Sequence, residues 1–435
     1  MEVLVRKSLE FSHVYLPPYS RFVMKLLPFF RNTGFVFIFN GVTLACGLFK
    51  NFVLARNVNE AELGLYSLVL AVVSFVYPLS LVGQQTALVR FLSGKDVDSY
   101  DCVGVVAKIL AMSAVLVLLG TVVATLIYDL LSLPILFIAI FALSNGATDL
   151  VPGVLRARGN YRLSIVVFRG VNIFHLAGFL LLAGLGIFTL TNVFWLLIWV
   201  TASFTVVTYF ISIRQFGRGE RPFPASLWRD GYFFFGTHVS VLVIASIDRL
   251  LIPKLLSLEA LGLYFAIFAV MRIFELSVHS IEFVLLPSAH RLGKRQIVKI
   301  SLAIVAAGGL LTVAYLWGGG FLVSIIYGGR YDHGIFLIPY FCVIGLLSLI
   351  YVVPYSLISG RLPAKSVRHL LYGNLVTMAI NIALSFILIS EKGLVGATLA
   401  TIIVWTLRIA IALVIISLAS KQPPAPSYAE SGLAG

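Results

Sequence analysis

Arg56 to Tyr66 reads RNVNEAELGLY, and Lys254 to Tyr264 reads KLLSLEALGLY. A shift of 198 residues superposes Arg56 on Lys254 and the run Leu63-Gly64-Leu65-Tyr66 on Leu261-Gly262-Leu263-Tyr264. Each copy is a short polar turn set between long apolar stretches. The fold depends on what those stretches are and how many lie between the copies.

Hydrophobic residues fill 60% of the 435 positions and Asp, Glu, Lys and Arg only 11%, with a mean hydropathy of +1.01. A soluble domain carries roughly 45 to 50% apolar and about 25% charged residues. A helix needs about 20 residues to cross about 30 Å of hydrocarbon. Apolar runs of that length, bounded by charge, Gly or Pro, predict twelve spans, at 34–54, 63–83, 105–127, 133–154, 164–186, 192–213, 231–254, 261–286, 299–326, 335–359, 370–390 and 394–419. The two copies then lie between spans one and two and between spans seven and eight. Six spans separate them, an even number, so the halves share one orientation and are related by an axis along the membrane normal.

The expected fold is therefore an all-α polytopic membrane protein of about twelve transmembrane helices in two six-helix lobes related by a pseudo-two-fold axis. Residues 1–33 read as a juxtamembrane amphipathic segment interrupted at Pro17 and Pro18, and 34–213 as the N-terminal lobe. A polar linker follows at 214–230, then the C-terminal lobe at 231–419 and a Pro-rich tail at 420–435 of disordered composition.

The chain carries 32 Lys and Arg against 18 Asp and Glu, a net charge of +14. Of the 32, 22 lie at the N-terminus, at the C-terminal Lys421 or in every second connection; the alternate connections hold only Arg56, Lys254, Arg330 and Lys392. Such asymmetry places both termini in the cytoplasm and fits an inner, plasma-membrane location. The basic surplus is thus read as topology with anionic lipids as its partner, not as nucleic-acid binding. Cys46, Cys102 and Cys342 are too few and scattered for a disulfide framework or a zinc site. No phosphate-binding Gly loop with a following Lys-Ser/Thr occurs, and Gly318-Gly319-Gly320 falls in an apolar helix. No cofactor, metal or catalytic residue is expected, and far-side connections of about ten residues or fewer leave no room for a catalytic domain.

Charge inside the spans is what remains. A charged side chain at mid-span costs roughly 2.5 to 3.5 kcal/mol on insertion scales, so it faces a partner or a watery cavity. Arg272, Glu275, His279 and Glu282 follow at steps of 3, 4 and 3 along span eight, one helical face, which is either a buried pair between helices or a cavity wall. Ten residues from Gly262 at about 1.5 Å each bring Arg272 about 15 Å inward, near the midplane. Asn40, Thr43, Gly47 and Lys50 repeat the spacing on span one, and the 198-residue shift lays Lys50 on Asp248 and Asn51 on Arg249. An interlobe Lys50–Asp248 contact or a snorkelling Lys50 both follow from that register. Asn374, Thr377, Asn381 and Ser385 share a face of span eleven. Asp149 and Arg169 stand about five residues from one end of spans four and five, where a structural pair across the hairpin is expected.

FVLARNVNEAELGLYSL followed by LVGQQTALVRFLS resembles the first two helices of Wzx-type polysaccharide flippases of the multidrug/oligosaccharidyl-lipid/polysaccharide exporter superfamily. SIDRLLIPKLLSLEALGLY, VLLPSAHR and NIALSFILISEKGLVGATLATII resemble their spans seven, eight, eleven and twelve in the same order. The resemblance implies a central cavity walled by spans one, two, seven and eight, and export of a polyprenyl-pyrophosphate-linked oligosaccharide for surface polysaccharide such as O-antigen or lipopolysaccharide, with further polysaccharide-assembly membrane proteins as partners. Lipid II flippases of that superfamily are similar, with fourteen spans and more basic residues on span one, where only Lys50 occupies such a place. Arg272, Arg249, Lys50, Arg90 and Asn40 form the candidate substrate-binding set. Asp248, Glu275, His279 and Glu282 are the candidate ion-coupling or gating groups. A drug or cation exporter of the same superfamily, and a membrane-bound glycan polymerase or ligase, are the alternatives.

Overall fold

The computed structural model describes residues 18–92, 97–130, 132–216, 219–288, 293–362 and 364–420. Residues 1–17 of the N-terminal segment, residues 421–435 of the tail and the side chain of His279 lie outside the described residues, while residues 18–33 form the start of the helix Pro18–Asn57. What is described is helical apart from short turns and one isolated bridge between Tyr100 and Arg221.

Among the described residues, ten helices are long and apolar enough to cross a membrane, and a broken pair, Leu258–Met271 with Ile273–Glu282, makes eleven. The longest, Ala364–Ser420, is two helices joined at Gly393, whose φ of 60° and ψ of −137° only glycine adopts without strain. Beyond that turn the chain doubles back. A Cβ on Gly396 would lie 1.8 Å from the Leu388 carbonyl oxygen, and one on Gly373 would lie 2.7 Å from Ile411 Cγ2. Counted as an antiparallel hairpin, this element brings the crossings to the twelve expected.

Three spans differ from the uniform helices of the sequence reading. Span two runs over Glu60–Ser80, turns through Val82 and Gly83 at φ of 50° and 70°, and continues as Gln84–Leu92. Span five is divided at Gly170 into Tyr161–Arg169 and Val171–Gly184. Span eight bends by 42° at Arg272. Span seven starts at Ser226, inside the stretch read as linker, so the connection is shorter than expected.

Spans one to six pack among themselves, as do spans seven to twelve. Apolar side chains cover the outside, with Trp317 89% and Leu126 76% exposed, as a lipid-facing surface requires. Between the lobes the repeat noted in the sequence takes on a physical role. Asn59 and Ser257, 198 residues apart, cap the starts of spans two and eight by accepting from Glu62 N–H and Ala260 N–H. One turn on, the glycines cross. A Cβ on Gly64 would lie 1.8 Å from the Leu258 oxygen, and a Cβ on Gly262 would lie 2.0 Å from the Glu60 oxygen. Those two contacts are each other's image under the 198-residue shift, so Gly64 and Gly262 stand at the pseudo-two-fold axis with their backbones touching.

Each lobe also clasps its neighbour on that face, the one poor in basic residues. Tyr128 O–H donates to the Leu250 carbonyl on span seven at 2.9 Å. In the mirror arrangement Tyr331 O–H donates to the Ala55 carbonyl on span one at 3.3 Å, and Arg330 donates to the Val58 carbonyl. Burial pushes the Tyr331 hydroxyl up to about 12, which keeps it a neutral donor. His333 Nε2 and Glu60 Oε1 add a polar contact at 3.5 Å. The face poor in basic residues is therefore sealed.

On the basic face the two flanks of the interlobe cleft differ. Span two follows span seven down to a contact where a Cβ on Gly83 would lie 2.2 Å from the Gly231 oxygen. Span one, in contrast, packs on the Leu258–Met271 half of span eight, while the Ile273–Ser288 half turns away to pack on span ten. Phe274 drives that turn by filling the notch left by Gly345, where a Cβ would meet its ring at 2.4 Å. The bend thus carries the Ile273–Ser288 half away from span one.

Candidate functional site

Arg272 stands at the break in span eight. Its N–H reaches only the Ala269 carbonyl, at 3.5 Å, so the regular helical ladder is interrupted there. The freed Val270 carbonyl accepts from Tyr315 O–H of span nine at 3.0 Å. The Arg272 Nε pairs with Glu275 Oε2 at 3.3 Å, and the two side chains are 39% and 45% exposed. The pair is partly exposed, so it is not sealed between helices among the described residues.

Lys50 does not snorkel. It is buried to 9% exposure and has no hydrogen bond or ion pair among the described residues, and the charge of Arg272 acts on it. Asp248, expected opposite, is engaged elsewhere: it accepts from Tyr264 O–H within its own lobe and from Arg249 N–H at 2.8 Å. The Lys50–Asp248 contact is therefore not formed. Arg249 folds back along span seven, donating to the Ala245 carbonyl at 3.1 Å and Ser246 Oγ at 2.8 Å, with its guanidinium 5.6 Å from the centre of the Phe268 ring. It is tied to the C-terminal lobe and does not join Lys50.

Arg169 is expected to be half of a structural pair with Asp149. No direct ion pair links it to Asp149 among the described residues; their charges act on each other and both act on the Tyr77 hydroxyl. Arg169 also feels Arg272 across the cleft. Its guanidinium lies 4.5 Å from the centre of the Phe168 ring, and its Nε is buried with no hydrogen-bond partner among the described residues. Lys50 on span one and Arg169 on span five thus each feel the charge of Arg272 on span eight, and among the described residues Arg272 is the one of the three with a directly paired carboxylate. Tyr66, fully buried under the glycine crossing, has a hydroxyl without a partner and lies within reach of Arg272's field. His175, also fully buried, bonds Thr201 at 2.8 Å through Nε2 and feels the charge of Lys50.

The other candidates are more dispersed. Asn40 is half-buried on span one, where its carbonyl accepts from Thr43 O–H at 3.0 Å. Arg90 is exposed on the basic face, 5.8 Å from the centre of the Phe234 ring of span seven. Glu282 is half-buried and acts on Tyr351 and Tyr355 of span ten. The span-eleven stripe is buried, and Asn381 Nδ2 donates to the Ile244 carbonyl at 3.3 Å, so it joins span eleven to span seven. Arg408 on span twelve was not singled out by the sequence reading. It is buried between the rings of Tyr351 and Trp405 at 4.4 and 4.6 Å. A lone arginine in an apolar run was the signal for it.

By sequence, no family model and no curated protein matches the chain. By structure, it matches a lipid II flippase, MurJ, in an inward closed conformation, with a TM-score of 0.65 and 14% identity over 88% of this chain and 87% of that one. It also matches a multidrug resistance MATE family transporter of the MOP superfamily in an inward-facing conformation, with a TM-score of 0.65 and 10% identity over 88% and 96% of the two chains. Against a MATE family transporter in an outward-facing conformation the TM-score is 0.54, at 11% identity over 90% and 96%. At such identities the likeness is one of fold, and the chain shares the fold of the MOP-superfamily transporters.

Proposed function

We propose that the chain exports a polyprenyl-pyrophosphate-linked oligosaccharide by alternating access, with the basic face in the cytoplasm of a plasma membrane and both termini on that side. The observation carrying this reading is the electrostatic coupling of Lys50 and of Arg169 to Arg272 within the spans, beside the bend at which span eight leaves span one. A cluster of cations there needs anionic ligand charge, and a pyrophosphate supplies about two negative charges with oxygens suited to a guanidinium fork. The glycan crosses in the hydrated cleft while the prenyl chain stays in lipid, which reaches the site where span eight turns away from span one. Moving two negative charges outward across about 100 mV, inside negative, releases roughly 4 to 5 kcal/mol.

A cation exporter of the same fold needs acids to dominate its cleft. Here Glu275 is bound to Arg272 and Asp248 is bound to Tyr264. Asp248, Glu275, Glu282 and His279 are the groups to examine for ion coupling. Proteoliposomes holding the full chain and a fluorescent lipid-linked oligosaccharide test the proposal: transfer between leaflets, accelerated by an inside-negative potential, is expected. Transport of a cationic dye with no lipid transfer would move the chain to the drug-exporter class.

A further inference from the structure

Between the Gln84–Leu92 half of span two and span four lies a cavity of about 320 Å³, opening on the basic face and lined by Gln85, Thr86, Val89, Arg90, Asp149 and Arg156. It is inside the N-terminal lobe, away from the Arg272–Glu275 pair. Asp149 nevertheless connects the two places, because it lines the cavity and its charge acts on Arg169, which in turn feels Arg272. The volume falls at the low end of the roughly 300 to 1,000 Å³ range of small-molecule sites.

The chemistry of the lining is selective. Gln85 is 8% exposed, and its Oε1 is buried with no hydrogen-bond partner among the described residues. A buried acceptor left unmade is costly, so a ligand fitting here must bring a donor. Asp149 adds carboxylate oxygens that likewise only accept. An ionised phosphate brings no donor and is repelled by the carboxylate. Arg90 and Arg156 only donate, so the ligand must also bring acceptors; Arg156 spends its Nε on the Pro152 carbonyl at 3.4 Å and keeps its terminal nitrogens for others. Hydroxyl groups satisfy both demands at once. An apolar drug satisfies neither.

We infer that this cavity is a carbohydrate subsite, which receives a sugar unit of the substrate through its hydroxyls while the pyrophosphate is held at Lys50, Arg169 and Arg272. The inference rests on the flippase reading and adds to it the place where the glycan is recognised. Gly153, on span four, keeps the cavity walls close, since a Cβ there would lie 2.7 Å from Val89 Cγ2. A glycan held there loads from the basic face, where Arg90 and Arg156 are exposed.

The test compares two ligands on the purified full chain. A labelled undecaprenyl pyrophosphate tracer is displaced either by unlabelled undecaprenyl pyrophosphate or by the lipid-linked oligosaccharide pool extracted from the source membranes. Wild type is expected to favour the glycan-bearing pool by about tenfold, the value of one or two hydrogen bonds involving charged groups. Gln85→Leu and Arg156→Gln should each erase most of that advantage and leave tracer affinity unchanged. Arg156 is exposed, so its variant keeps the test sound if Gln85→Leu fails to fold. An advantage that persists in the folded variants, or is absent from wild type, overturns the subsite. Failure of the tracer to bind wild type sinks the flippase reading instead and takes the subsite with it.

Discussion

Arginine at position 272 is doubly constrained, by depth in the membrane and by the helix break it occupies. In the empty state Glu275 balances it, and an incoming pyrophosphate competes through paired hydrogen bonds that an ammonium reproduces less well. Arg272→Ala and Arg272→Glu are expected to lower export by about tenfold to a hundredfold at normal membrane insertion, from the loss of charge-assisted hydrogen bonds. Arg272→Lys should retain part of the activity. Full export by a normally expressed Arg272→Glu variant would remove the mechanism and leave Arg272 half of a dispensable pair. Arg169 separates two roles in another way. If its unpartnered Nε serves the ligand, Arg169→Gln should weaken undecaprenyl pyrophosphate binding about tenfold at near-normal folded yield. If it serves Asp149, yield should fall and the swapped Asp149→Arg, Arg169→Asp variant should recover it. Sequence alone favoured the second role, because register shows that two charges share a hairpin but not whether their side chains meet.

At the scale of elements, the spans were legible because crossing a membrane is a matter of length and composition. The breaks were not. Gly83 carries a φ of 70° and gave a local hint, but span eight bends at Met271-Arg272-Ile273, where neither Pro nor Gly stands. Its cause is tertiary: Phe274 packs into Gly345 on another helix. The glycine crossing is the reverse case in part, since LGLY was visible twice and its spacing predicted the two-fold relation of the halves, though not that the two glycines would touch. With 1.8 Å from a Cβ on Gly64 to the Leu258 oxygen, against an ordinary carbon–oxygen contact of about 3.3 Å, a side chain there must push spans two and eight apart by about 1.5 Å. Gly64→Val is therefore expected to loosen the sealed face. A cysteine replacing Ser67, which is 1% exposed, should become reactive from that face in the Gly64→Val background and stay unreactive in its absence. Equal protection in both, with full transport, would show that the crossing is not part of the gate.

For the whole molecule, topology and gating are joined by the distribution of charge. In a chain freed of its three native cysteines, single cysteines at Asp129 and Lys392 should react with an impermeant reagent added outside intact cells, and ones at Arg158 and Glu220 should not; all four positions are exposed. Labelling of Glu220→Cys from outside would invert the map and with it the direction proposed for transport.

Alternating access makes a further demand on that map. The seal has three parts, the glycine crossing at the axis and one tyrosine clasp on each side, and all must release for the face to open. The Glu60–His333 pair bridges the lobes at the rim of one clasp, with side chains 26% and 55% exposed, so both positions accept a reagent without disturbing the core. A short thiol-specific cross-linker between Glu60→Cys and His333→Cys should hold the sealed state. Because the ligand site lies on the other side of the seal, cross-linking should abolish leaflet-to-leaflet transfer while tracer binding from the basic face persists, and a cleavable linker should restore transfer on reduction. A locked protein that still transfers lipid would mean that the lobes need not part here, and that the substrate leaves along the flank of span eight instead of through the crossing.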